Sequence, residues 1–183
     1  IIWLASYPKS GNTWIRAFIN AILYSEDGAV NLSQLNNIPQ YPARSLFKNL
    51  VDDFNDINQI KKNWIPSQSL INLDGKVKFF KTHQINCKIG FDNFTNLDNT
   101  IGVIHILRDP RNVITSIKNH YNYNSYNEAK EFMFDENTWI GKLLDKNTEN
   151  IENKIPTLIA SWKTHYNSWK NTKKNYLLIK YEN

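Results

Sequence analysis

The chain has 183 residues, 41% of them hydrophobic and 21% charged, a globular composition at a length too short for two full domains. Its net charge of +5 favours anionic partners, but the cations are scattered, with no run longer than Lys61-Lys62 or Lys173-Lys174, which argues against a nucleic-acid-binding surface. Cys87 is the single cysteine, which excludes an intrachain disulfide and a thiolate metal cluster and fits a reducing, cytoplasmic setting. No stretch approaches the roughly 20 apolar residues of a membrane span, and no cleavable leader pattern is visible.

Ile1 to Tyr7 reads as a buried strand. The spacing of Trp14, Ile15, Phe18, Ile19 and Ile22 then predicts a helix from Gly11 to about Leu23. Ser25 to Leu70 is irregular, with Pro39, Pro42 and Pro66 breaking short helical pieces, and is where specificity loops are expected. Lys76 to Thr82 (KVKFFKT) and Thr100 to Leu107 (TIGVIHIL) have the content of strands. Asp109-Pro110 is a helix start, with Asp as N-cap and Pro at the first helical position, and that helix should run to about Asn119. Further helices are expected from Asn127 to Leu144 and from Leu158 to about Asn171, before Tyr176 to Tyr181 closes as a buried strand.

Strands alternating with helices imply one α/β domain over 1–183, a parallel sheet with helices on both faces. Such sheets bind ligands beyond the carboxyl ends of their strands. The chain starts inside one strand and stops just after another, so it is expected to be C-terminally truncated.

Three clusters fall at predicted strand ends. "SYPKSGNTW", Ser6 to Trp14, places Lys9, Ser10, Gly11 and Thr13 where a strand turns into a helix. Open N–H groups and a partial positive charge make a helix start an anion site. The triphosphate loop G-x-x-x-x-G-K-[ST] has Lys after its last glycine, whereas Lys9 precedes Gly11. An ordinary strand–turn–helix with solvent-facing side chains remains equally open on these residues alone. "HILRDPRNVITSI" puts Arg108 at a strand end and Ser116 eight residues later, so both can face one anion. The planar guanidinium fork suits a phosphate dianion, although Arg108 could instead pair with Asp109. "FFKTHQ" delivers Lys81 and His83 to the same rim, where a histidine can act as a general base near neutral pH. His105, inside a strand, and His165, in a helix, read as structural; His120 is open to either role. No His/Cys/Asp cluster has metal-ligand spacing.

In order and spacing, "YPKSGNTW", "KTH" and "RDPRNVITS" resemble the sulfotransferases that use 3′-phosphoadenosine 5′-phosphosulfate (PAPS). "SWKTHYNSW" and "YLLIKYEN" resemble later segments of that family, so the likeness spans nearly the whole chain. It implies the P-loop-like sulfotransferase fold. It implies that Lys9 contacts the 5′-phosphate and the bridging oxygen, while Ser10, Gly11, Asn12 and Thr13 supply loop donors. Trp14 would stack on adenine, although its helical position is equally that of a core residue. Arg108 and Ser116 would hold the 3′-phosphate, His83 would take the proton of an acceptor hydroxyl or amine, and Lys81 would be a second cation. The cofactor is then PAPS with no metal, and the partner a small-molecule or glycan acceptor.

Asn12 replaces a threonine of the family's loop, and three further departures stand out. The family's C-terminal Arg-Lys-Gly loop is absent, Ile159-Ala160 precede Ser161-Trp162 where many members have a Tyr, and Gln84 and Ile85 follow His83 where the family's KTHL is followed by a proline. Tyr121, Tyr123, Tyr126, Phe132, Phe134 and Trp139 are candidates for an apolar acceptor pocket, with half or more assigned to packing. Two other readings compete: a P-loop kinase or NTPase, which the inverted Lys/Gly order and the Arg108/Ser116 pair oppose, and a non-catalytic nucleotide-binding protein.

Overall fold

The computed structural model describes residues 1–141, 155–173 and 175–182. In chain order the elements begin with β1 (Ile2–Ser6), α1 (Asn12–Leu23), α2 (Ile57–Lys62), α3 (Trp64–Asn72) and β2 (Phe79–Thr82). There follow β3 (Lys88–Ile89), β4 (Asp92–Asn93), β5 (Gly102–Leu107), α4 (Pro110–His120) and α5 (Tyr126–Phe134). The last are β6 (Trp139–Ile140), β7 (Thr157–Leu158), α6 (Trp162–Lys170) and β8 (Asn175–Lys180). Four strands form a parallel sheet in the order β2-β1-β5-β8, and two small antiparallel pairs, β3-β4 and β6-β7, lie outside it.

β1 lies between two parallel neighbours and is apolar up to Ser6, and Trp3, Leu4 and Ala5 have no exposed surface. Its alternating side chains feed two different cores. On one face Leu4 meets Ile15 of α1 with Ile38 and Ile106. On the other, Trp3 centres an aromatic cluster with Tyr41, Phe80, Phe94 and Trp169, ring centroids 5.3–6.3 Å from its own. The polar tips of these rings are partnered: Trp3 Nε1 donates to Thr100 Oγ1 (3.0 Å), and Trp169 Nε1 to the Gln84 carbonyl (2.9 Å). Burying each such ring contributes about 1.5–3 kcal/mol. A third cluster, built on Tyr7, Val113, Ile117 and Met133, packs α4 and α5 beside the sheet's carboxyl end.

Several boundaries differ from the sequence reading, each for a local reason. The expected helix from Asn127 stops at Phe134. Asp135 is extended (φ −72°, ψ 119°), its carboxylate accepts from Asn137 N (2.9 Å), and Trp139–Ile140 pairs with Thr157–Leu158. The predicted stretch 142–144 lies outside the described residues. α6 starts at Trp162, later than expected, because Thr157–Leu158 is in β7 and the Ser161 side chain caps the helix by accepting from Thr164 N. Pro66 sits inside α3 without breaking it, since it falls in the first turn, where the missing N–H has no intrahelical partner to lose. The expected buried strand at Tyr176–Tyr181 is an edge strand instead: Leu177 is 55% and Tyr181 44% exposed. Asp109 and Pro110 do start α4, with the Asp109 carboxylate accepting from Arg111 N (2.8 Å).

Candidate active site

The parallel strands bring their carboxyl ends to one rim, where the segments that follow them enclose a cleft of about 500 Å³. Lys9, Gly11, Asn12 and Thr13 reach it from the turn after β1, Lys81 and His83 from the end of β2, and Arg108 from the end of β5. Ser116 and His120 line it from α4. No Asp or Glu is among its described lining residues, so its formal charge is positive.

The turn after β1 is held in an uncommon shape. Lys9 has φ 65°, a left-handed conformation that costs a lysine roughly 1 kcal/mol, and Arg108 Nη1 donates to its carbonyl (3.0 Å). Gly11 is required for two reasons. Its φ is 95°, and a Cβ there would lie 2.3 Å from the Tyr181 ring. Asn12 braces the turn from behind: its side-chain nitrogen donates to the Leu4 carbonyl (2.9 Å) and to Ser6 Oγ (3.1 Å). Its carboxamide therefore ties α1 to β1, and what Asn12 can offer an anion is its backbone N–H in the open first turn. Ser10 is 1% exposed, and its hydroxyl is buried with no hydrogen-bond partner. Such an orphan costs about 1–3 kcal/mol, and unlike its neighbours in the turn Ser10 is not among the residues that line the cleft.

Trp14 is 67% exposed and stacks on Phe18 (6.5 Å between centroids, 7° between planes), so it is not a core residue. It stands outside the cleft lining. The stacking surface it offers is therefore open.

His83 is half-buried, and its Nδ1 lies 2.7 Å from the Ser6 carbonyl and 3.3 Å from Ser6 Oγ. A carbonyl only accepts, so Nδ1 carries the proton and Nε2 is left with a lone pair. Desolvation, with the nearby Lys81 charge second, lowers its pKa well below the ordinary histidine value, and the Ser6 hydrogen bond opposes this only in part. The imidazole is thus neutral at pH 7. Its carbonyl accepts from His165 Nε2 (3.1 Å), which fixes the segment. His165 and His105 are 1% exposed, and burial lowers their pKa values to about 3 and about 4. Both are structural, as the sequence implies. Lys81 Nζ donates to Gln40 Oε1 (3.3 Å), and Gln40 also lines the cleft.

Arg108 does not pair with Asp109. Asp109 is taken by Arg111, whose Nε lies 3.0 Å from both carboxylate oxygens. Arg108 instead sits 4.6 Å over the Tyr181 ring, with its Nε 3.9 Å from Glu182 Oε1. Glu182 also accepts from Asp109 N (3.0 Å) and Asn112 Nδ2 (3.1 Å), joining the end of β8 to the start of α4. Tyr181, Glu182 and Gln40 carry no role in the sequence reading. The place of Tyr181 directly after a strand was the signal that could have found it.

A second cavity, of about 750 Å³, adjoins the cleft and shares Tyr121 and Ile140 with it. Four of the six aromatic residues named from sequence line it: Tyr121, Tyr123, Phe132 and Trp139. Tyr126 and Phe134 do not, and are 54% and 70% exposed.

Compared with known families, residues 1–183 match the one described as "Sulfotransferase domain". The chain belongs to the sulfotransferase family. Two solved sulfotransferase-fold structures resemble it: mouse sulfotransferase SULT7A1 complexed with PAP, at 20% identity and TM-score 0.50, and retinol dehydratase complexed with androsterone and inactive cofactor PAP, at 17% and 0.51. Each likeness covers 99% of this chain but 51% and 54% of those chains, so this sulfotransferase chain spans about half their length. No curated protein matches the sequence. Among the described residues no His, Cys, Asp or Glu group is arranged to hold a metal, and no helix is long and apolar enough to cross a membrane.

Proposed function

We propose that this sulfotransferase domain moves a sulfuryl group from PAPS to a hydroxyl or amine acceptor, with His83 as general base. The observation that carries this reading is the meeting of Lys9, Lys81, His83, Arg108 and Ser116 in one cleft free of described carboxylates. The PAP bound in both of these solved structures supports the choice of nucleotide.

The residues present suit PAPS. The open first turn of α1, Thr13 and Lys9 would hold the 5′ end, with the orphaned Ser10 hydroxyl beside them in the turn; Arg108 and Ser116 would hold the 3′-phosphate, and the exposed Trp14 ring would be a surface for adenine. When bound, PAPS supplies an activated sulfuryl group. His83 Nε2 takes the acceptor's proton, and its lone pair is kept ready by the Nδ1–Ser6 bond. Lys9 would supply positive charge to the oxygen where negative charge grows, and Lys81 would add a second cation. Positioning and fixed charge provide most of the acceleration in such in-line transfers. A cytoplasmic setting belongs to the same proposal, supported by the single thiol, Cys87, which burial raises to about 11.

The test is an acceptor-dependent release of PAP from PAPS across a panel of phenols, alcohols, amines and sugars. Turnover by the native chain, abolished in His83→Ala with PAP affinity retained, is the expected result. PAP binding without transfer to any acceptor would favour a non-catalytic nucleotide-binding protein.

A further inference from the structure

Behind the cleft, one hydroxyl touches both the histidine and the helix that opens the phosphate turn. Ser6 is the last residue of β1 and has no exposed surface. β1 pairs with β2 as far as Ala5 with Thr82, and Ser6 and His83 are the next residues along the two strands. There His83 Nδ1 donates to the Ser6 carbonyl (2.7 Å), with Ser6 Oγ beside it at 3.3 Å. The same Oγ accepts from Asn12 Nδ2 (3.1 Å), which also donates to the Leu4 carbonyl (2.9 Å).

The residue type at position 12 matters to this arrangement. A carbonyl only accepts, so the amide nitrogen must face Leu4, and its two hydrogens serve two oxygens at once. A threonine, as in the family's loop, has one hydroxyl hydrogen and could serve only one of them. The amide is 4% exposed, and its Oδ1 is buried with no partner among the described residues. Its orientation is therefore set by what the nitrogen holds, against the cost of that bare oxygen. The backbone of His83 is fixed separately, by His165 Nε2 on its carbonyl (3.1 Å), which leaves the ring to Ser6.

We propose that Ser6 and Asn12 are positioning residues for His83. Asn12, the first residue of α1, holds the Ser6 hydroxyl, and Ser6 holds the imidazole with its proton on Nδ1 and its lone pair on Nε2. The ring is thereby registered to the turn that would take the nucleotide, and not to β2 alone. What the ring does there rests on the sulfotransfer reading; how it is held does not.

The experiment has two arms. Exchange of the His83 Nδ1 proton with water is followed by ¹⁵N-edited NMR in the native chain, in Ser6→Ala and in Asn12→Leu, with the buried Trp169 Nε1 proton as the reference for global loosening. Exchange at His83 should quicken about tenfold or more in each variant while that at Trp169 stays within about twofold. In parallel, kcat for PAPS-dependent turnover should fall about tenfold in each variant with PAP affinity within about threefold, and the fall should shrink to about twofold or less in a His83→Ala background. Unchanged exchange at His83, equal quickening at both protons, or a kcat loss that persists in His83→Ala would each overturn the proposal. Asn12→Leu leaves two buried oxygens bare; should it not fold, Ser6→Ala decides alone by the same readings. If the native chain shows no turnover while His83 exchange responds as expected, the hold on the ring stands and the sulfotransfer reading falls.

Discussion

Two neighbouring cavities share Tyr121 and Ile140 yet are built from opposite materials. The cleft at the strand ends gathers Lys9, Lys81 and Arg108, and much of its shape is backbone: the left-handed Lys9, the left-handed Gly11 and the open first turn of α1. The adjoining cavity gathers Glu128, Glu131 and Asp135 among aromatic rings, and its wall is made by side chains of α5, of the turn before it and of the segment from Asp135 to Ile140 after it. A site made by backbone conformation demands particular residue types at fixed spacing. A site walled by side chains demands only suitable residue types, which many sequences satisfy. Under the proposed function the first would take the nucleotide, and the second lies beside it on the acceptor side.

The sharpest way to break this division is at the base. His83→Ala should lower turnover by about 10²–10⁴-fold and leave PAP affinity within a few-fold, because Nε2 is asked to handle the acceptor's proton and not the nucleotide. Steady-state kinetics with parallel calorimetry check it; a fully active variant would remove the base assignment. Lys9→Ala comes next, with a loss of about 10²–10³-fold in kcat, since it removes charge from the oxygen that departs. Loss confined to KM would make Lys9 a ground-state binding residue only.

The aromatic core offers a contrast with both cavities. Trp169→Ala should destabilise the chain by about 3–5 kcal/mol, read from denaturant unfolding, because Trp169 is fully buried against Trp3 and Phe94. Variants of exposed Phe134 should stay within about 0.5 kcal/mol of the native value.

Acid should separate function from stability. His83 has its folded pKa lowered, so it is neutral above the ordinary value of about 6.5, and activity should be lost only as pH falls below that. His165 and His105, lowered to about 3 and about 4, bind fewer protons folded than unfolded below pH 6.5. Their contribution to stability is therefore fully present above 6.5 and falls with pH, by up to about 1.4 kcal/mol per unit for each, until the folded values are reached. A pH–rate profile whose acid limb lies above 6.5 would contradict the His83 environment. An acid unfolding curve unchanged in His105→Gln would contradict the second point.

The legibility of the sequence follows the same division. The four main strands and the phosphate-loop helix were readable because apolar runs and helical spacing have one sheet-compatible solution. The meeting of Lys9, His83 and Arg108 in one cleft was readable because each follows a strand end, and that of Ser116 because it lies two turns into the helix after β5. The inward turn of the Asn12 carboxamide was not, since only the distance to Leu4 and Ser6 reveals it. The exposure of Trp14 and of β8 was hidden for another reason: an apolar residue at the right period says that it can be buried, not that something covers it. The break after Phe134 depends on the pairing of β6 with β7, a contact between distant segments that no local pattern carries.

The central claim is that the basic cleft is made for a nucleotide with a 3′-phosphate held by Arg108 and Ser116. It is tested most directly by calorimetric titration of the chain with PAP and then with ADP, in native protein and in Arg108→Ala. The account predicts a clear preference for PAP, with Arg108→Ala weakening PAP by about 10–100-fold and ADP far less. Equal affinity for PAP and ADP in the native chain, or an equal loss of both in the variant, would contradict it.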